Sequence, residues 1–257
     1  MDTRTTTTTG TTPGTTTRPA SPDIDLHPAD ERGRTDLGWL RSAHAFSFGG
    51  FRDPQRMGFG VLRVLNDDWI DPGTGFGEHP HRDMEIITWV LEGALAHRDS
   101  LGHGGVLRPG DVQVMSAGRG IVHSEMNGSE TEPAHFLQIW IEPSRAGLEP
   151  RYDQRSFPIE GRRDRWQTVA SGRGAGGALP IGQDAELLIA EVGPGVDLSH
   201  ATVASRRAYL HVATGEVEVA GHHLGAGDAI SIDRPLKLVI RGGSVGGQVL
   251  LFDLPAA

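Results

Sequence analysis

Residues 77–93, GEHPHRDMEIITWVLEG, place His79, His81, Asp83 and Glu85 at every second position. On an extended strand these side chains share one face, because successive residues alternate sides. Two imidazoles on neighbouring same-face positions stand roughly 6–7 Å apart, close enough to converge on one ion. A second stretch, GIVHSEMN, offers His123 and Glu125 with the same spacing. Two such pairs facing each other present three neutral nitrogens and a carboxylate. That set suits Fe(II), Mn(II), Ni(II), Cu(II) or Zn(II), and not Mg or Ca, which prefer oxygen ligands. The fourth ligand stays open between two glutamates. On a straight strand Glu85 lies about 13 Å beyond His81 and reaches the ion only if the chain turns at residues 82–84. Glu125 needs no such turn, so spacing favours it. Asp83 has two readings, as an acceptor that orients a ligand imidazole or as a turn residue.

The elements that must carry these residues are strands. The chain has 257 residues, 37% hydrophobic, with 36 glycines and few aromatics, a composition that suits short strands and tight turns. EIITWVLEG, ALAHRDSLG, GVLRPGDVQVMSAG and HFLQIWIEP all read as strands punctuated by Gly, Pro and Asp. The net charge of −9 argues against a nucleic-acid surface, and the absence of cysteine removes thiolate ligands and nucleophiles. No apolar run approaches the ~18 residues of a membrane span and no signal-peptide core is present, so a cytoplasmic protein without a membrane partner is expected. Residues 1–28 open with a Thr-rich low-complexity run and are expected to be a disordered tail.

The two halves of the ordered chain echo each other. ITWVLEGALAHRDSLGHGGVLRPGDVQVMSAG and AYLHVATGEVEVAGHHLGAGDAISID share an x-G turn, at Gly93 and Gly215, and a Gly-Asp turn, at Gly110–Asp111 and Gly227–Asp228. The repeat predicts an all-β chain of two antiparallel barrels, each closing on itself to remove its edges. Their expected limits are 29–148 and 166–257, with a connector over 149–165. Counting from the shared turns aligns His79 and His81 with about Ala201 and Val203, and His123 with about Ile240. The second copy thus keeps the scaffold and lacks the histidines, which points to a function for them in the first. His97, His103 and His135 read as ordinary histidines of the first barrel, and His222 and His223 as solvated. Phe48, Phe51, Phe59, Trp69 and Met126 are candidate walls of an apolar pocket.

These residues resemble the cupin superfamily. Its first motif, G-x5-H-x-H-x3,4-E-x6-G, is met by Gly73, His79, His81 and Glu85, with Gly93 one residue late. Its second, G-x5-P-x-G-x2-H-x3-N, is met by Gly110, Gly118, His123 and Asn127, with Ser116 in place of the proline and a longer gap before His123. Those departures, with HRDSLG, LQIWIEP and the terminal LLFDLP, look like the bacterial branch of the pirin family. The resemblance implies a bicupin of jelly-roll type with one Fe(II) in the first barrel, ligated by His79, His81, His123 and Glu125. Glu85 is then left in a supporting role. It also implies quercetin 2,3-dioxygenase-like activity, in which a flavonol or related enol meets dioxygen, Glu125 accepts the 3-hydroxyl proton, and the ring opens with release of carbon monoxide. The alternative it implies is a regulatory iron-binding protein that acts through a protein partner as a redox sensor.

Overall fold

The structure, a computed structural model, describes residues 24–256. The alternating runs form β1 (Asp25–His27), β2 (Gly33–Asp36), β3 (Leu40–His44), β4 (Leu62–Ile70), β5 (Gly75–His81) and β6 (Glu85–Glu92). After these come β7 (Leu95–Asp99), β8 (Gly104–Leu107), β9 (Asp111–Ser116), β10 (Ile121–Asn127), β11 (Ala134–Ile141) and β12 (Arg151–Ser156). The second half adds β13 (Gln167–Ser171), β14 (Leu179–Pro180), β15 (Glu186–Val192), β16 (Asp197–Thr202), β17 (Arg206–Val219), β18 (His222–Gly225), β19 (Ala229–Ile232) and β20 (Leu236–Pro255). Among the described residues the only helical segments are two short 3-10 turns. No helix is long and apolar enough to cross a membrane.

The first half folds as two sheets. A seven-stranded sheet runs β12-β9-β6-β11-β4-β3-β2, and a four-stranded sheet runs β5-β10-β7-β8. Strands within both pair antiparallel. The second half forms one continuous sheet, β1-β19-β17-β20-β15-β13-β14, with β16 and β18 joined to its long strands. The expected all-β pair of cupin units is the observed architecture. The turn glycines of the repeat do the same work in both copies. Gly93 and Gly215 sit at φ 74° and 71°. A Cβ on either would lie 2.3 Å from Pro133 O or 2.2 Å from Gly246 O, so no side chain fits.

Three details differ from expectation. Residues 1–23 of the anticipated tail lie outside the described residues, but residues 24–28 do not belong to a disordered segment. Ile24 is buried in the second domain's core, and β1 pairs with β19, Leu26 opposite Ile230. A run too short to bury anything by itself is ordered there by a strand edge far away in sequence. The stretch 149–165 is likewise more than a connector, since its β12 extends the first sheet with Arg151 opposite Ser116. Third, the repeat aligns differently by pairing than by counting. Ile240 lies opposite Leu198 on β16 much as His123 lies opposite His79. Ala201 and Val203 are exposed. The second copy does keep one histidine on β16, His200 opposite Leu238, edge-on to Trp166. Among the described residues it belongs to no cluster of metal-binding side chains.

The two halves share their largest core. Leu65, Ile87, Trp89, Leu137 and Ile139 on the outer face of the seven-stranded sheet pack against Leu187, Tyr209, Leu250 and Phe252 of the second half. Each such side chain contributes roughly 1.5–3 kcal/mol on burial. Trp89 is fully buried and its indole N–H donates to Gln248 Oε1 at 2.7 Å. The opposite face of that sheet looks into the first domain. There Val90 and Phe136 join one apolar cluster, and Ile86 and Met115 join another.

Candidate metal centre

Between those two apolar clusters lies a polar row. Gln113, Thr88 and Gln138 stand in register on β9, β6 and β11 and are all buried. Glu125, on β10 of the facing sheet, meets them. Its Oε2 accepts from Gln138 Nε2 at 2.6 Å, and its Oε1 accepts from Gln113 Nε2 at 3.3 Å and from the Thr88 hydroxyl at 3.2 Å. Complete burial pushes the Glu125 pKa up, while His79 and these three donors pull it back toward the carboxylate.

The histidines arrive on β5 and β10. His79 lies directly opposite His123, and His81 opposite Ile121. The register shifts between His123 and Glu125, so that Glu125 comes opposite Phe76. Close approach of the strands depends on Gly75, where a Cβ would fall 2.4 Å from Glu125 O and 2.6 Å from Met126 Cα. The ring centroids of His79, His81 and His123 are 4.4–4.9 Å apart, and their ligand atoms all lie within 4.8 Å of one another. His79 Nδ1 donates to Gly77 O at 2.7 Å, which makes its Nε2 an acceptor. That nitrogen points at His123 Nε2, 3.0 Å away. Burial, then the neighbouring imidazoles, lowers the pKa of His123 to about 3. Burial and His79 lower that of His81 to about 4. At neutral pH these rings are uncharged and present lone pairs, the form a metal requires. Neutral nitrogens that converge beside a carboxylate fit a divalent transition metal.

Glu85 is not among them. The chain does turn, with Asp83 in the left-handed region at φ 49°, but the turn resets the alternation. On β5 the odd residues His79 and His81 face the cluster; on β6 the even residue Thr88 does. Glu85 shares its face with Ile87 and Trp89, which pack on the second domain. Its Oε2 accepts from the Ser116 hydroxyl at 2.6 Å. Ser116 lines a cleft of about 900 Å3 between the halves, remote from the histidines. Asp83 takes the turn reading, since its Oδ1 accepts from Gly147 N at 2.7 Å and its own N–H bonds Gly118 O.

A cavity of about 460 Å3 opens onto His79, His81 and Glu125. Its apolar walls include Leu40, Phe48, Phe76 and Trp140. Trp140 also stands edge-on to His81 at 4.9 Å. Of the five side chains read as candidate walls, only Phe48 lines it. Phe51 packs against Gly33, Phe59 against Tyr209, Trp69 stacks on His135, and Met126 is partly exposed.

Comparison with known proteins accords with this geometry. Residues 26–141 match the family profile Pirin, and residues 168–254 the profile described as quercetinase C-terminal cupin domain. A quercetin 2,3-dioxygenase of Escherichia coli K12 is 44% identical over 233 residues, 90% of this chain and 99% of the relative. The chain belongs to the pirin family. A Pseudomonas aeruginosa relative named putative quercetin 2,3-dioxygenase is 48% identical over 214 residues, 82% of this pirin and 92% of its own length. The crystal structure of the E. coli bacterial pirin YhhW in complex with nickel(II) superposes with a TM-score of 0.86 at 44% identity, covering 91% of this pirin and 100% of that chain.

Sequence reasoning passed over several residues of the pirin site. His97, read as an ordinary histidine, is buried opposite Glu125, and it forms a second group of three with His123 and Glu125. Its Nε2 bonds Asp99 Oδ2 at 3.2 Å, its ring stacks on Tyr152, and its Nδ1 is buried with no partner. His135, by contrast, is tied to Asp67 Oδ1 at 2.6 Å on the other side of β4, and His103 bonds Asp99 at the surface. Thr88, Gln113 and Gln138 were also missed, although each interrupts an otherwise apolar strand (IITWV, DVQVM, FLQIW). A polar side chain in such a run must find a buried partner.

Proposed function

We propose that this pirin is a metal-dependent dioxygenase that opens the ring of a flavonol such as quercetin with release of carbon monoxide. The ion is one divalent transition metal, Fe(II) by preference among Fe, Mn, Ni, Cu and Zn, held by His79, His81, His123 and Glu125. The observation that carries this reading is the convergence of three imidazoles beside a buried glutamate, where His79, His81 and Glu125 open onto one largely apolar cavity. That cavity falls within the roughly 300–1,000 Å3 of small-molecule sites. It accords with the activity for which the E. coli relative is named.

A divalent ion in that position supplies Lewis acidity that favours the anion of a flavonol 3-hydroxyl, and redox chemistry toward dioxygen. The chain supplies the rest. Glu125 accepts the hydroxyl proton at a carboxylate oxygen, and burial, which raises its pKa, suits it to hold that proton. Gln138, Gln113 and Thr88 keep the carboxylate in place in both protonation states, since each amide offers donor and acceptor. Phe48, Phe76 and Trp140 give the cavity aromatic walls that orient a flat ring and keep water from it. The test is metal analysis of the purified protein with dioxygen uptake and carbon monoxide release in the presence of quercetin. Stoichiometric metal with both signals is expected. Less than about a tenth of an equivalent after iron-supplemented expression overturns the metal site, and full metal without uptake across a flavonol panel favours the regulatory alternative.

A further inference from the structure

The wall of the cavity that faces the histidines carries a polar group with no structural task. Asn66 and Asp68 point inward from β4, and Ser42 and His44 from β3. Most of this wall is satisfied within itself. His44 Nδ1 donates to Asn66 Oδ1 at 2.8 Å, and its Nε2 accepts from the Thr35 hydroxyl at 2.8 Å. Ser42 lies directly opposite Asp68 across the strand pair, and its hydroxyl is 3.3 Å from His44 Nδ1. Asp68 Oδ1 is left over. The residue is only 3% exposed, lines the cavity, and this oxygen is buried with no hydrogen-bond partner. Buried acids are ordinarily paired, and this one has neither a cation nor a backbone N–H on Oδ1.

We propose that Asp68 is a second substrate-anchoring group, whose free carboxyl oxygen takes a hydroxyl of a flat polyhydroxylated aromatic, distinct from the hydroxyl at the metal ligands. This rests on the flavonol reading and adds a specificity element to it. The chemistry suits a phenol. Burial, with Asp67 and Glu125 nearby, pushes the Asp68 pKa up to about 7, so its carboxyl is able to accept a phenolic hydrogen or donate its own. A ligand lacking that hydroxyl would leave the buried carboxyl unmatched, and a site built to bond a hydroxyl discriminates strongly against analogues without it.

The test is anaerobic calorimetric titration of the full-length, metal-loaded protein with quercetin and with analogues lacking the 5-, 7-, 3′- or 4′-hydroxyl in turn. In the wild type, deletion of one of these hydroxyls is expected to weaken binding roughly tenfold or more, and the other deletions far less. In D68A and D68V that difference collapses to within about twofold, while quercetin itself weakens by about the same tenfold. D68N, which keeps an acceptor and a donor, restores most of the discrimination. Matching metal content and melting temperature show that the variants are folded, and two different replacements guard against loss of either. An unchanged pattern of selectivity in D68A and D68V overturns the role of Asp68 while the flavonol reading stands. Absence of binding by any flavonol to the wild type overturns both.

Discussion

His79 and His123 stand opposite each other across the β5–β10 pair with their Nε2 atoms 3.0 Å apart. A single N–H···N bond can satisfy that contact, and a metal bound there would replace it with two coordinate bonds. Because His79 Nδ1 donates to Gly77 O, its Nε2 is the acceptor of the pair. His123→Ala and His79→Ala are each expected to bring bound metal below about a tenth of an equivalent, since a structural or catalytic site rarely survives loss of one of three nitrogens. Elemental analysis checks this, and either variant retaining full metal would show that the pair is not a ligand pair.

Glu85 and Glu125 are separated by the same sheet that separates the histidine cluster from the second domain. Glu125→Gln is expected to lose metal or abolish dioxygen uptake, and Glu85→Gln to retain both, with any effect confined to the Ser116 contact. Metal content and uptake measured on the two variants decide between the glutamates. Loss of metal in Glu85→Gln alone would reverse the assignment.

Gln138 makes the shortest bond to Glu125, 2.6 Å. Gln138→Leu leaves a buried carboxylate oxygen without its donor, a cost of about 1–3 kcal/mol. Loss of such an outer partner typically lowers metal affinity about 10–100-fold. Competition with a chelator reads the affinity, and thermal melts of the metal-free protein read the stability. An affinity within about twofold of wild type would show that Glu125 is held by Gln113 and Thr88 alone.

His211 is expected to make the fold sensitive to acid. It is fully buried on β17, neither ring nitrogen has a partner, and burial lowers its pKa to about 4 from an ordinary 6.5. Between those values the unfolded chain binds a proton that the folded one refuses. Stability therefore falls as pH drops from 6.5 toward 4, with a slope approaching roughly 1.4 kcal/mol per unit. His211→Leu is expected to flatten this part of the profile. The other histidines with lowered values keep some slope in the metal-free protein. Melting temperatures at pH 7.5, 5.5 and 4.5 check it, and a variant as acid-sensitive as wild type would move the effect elsewhere.

What the residues determined alone was local. Strand alternation puts His79 with His81 and His123 with Glu125 whatever surrounds them, because the period of two is a property of the extended backbone. The repeated turn glycines were equally legible, since only glycine tolerates φ near 70° with a carbonyl at the Cβ position. Three-dimensional packing decided the rest. One left-handed residue, Asp83, shifts the phase of alternation between β5 and β6 and turns Glu85 away from the histidines that precede it by a few positions. The partners of Glu125 come from β6, β9 and β11, whose register against one another no local pattern encodes. The cavity walls, the free oxygen of Asp68 and the docking of β1 on β19 likewise join residues far apart in sequence. Periodicity assigns a side chain to a face, but only the packed sheets decide what that face meets.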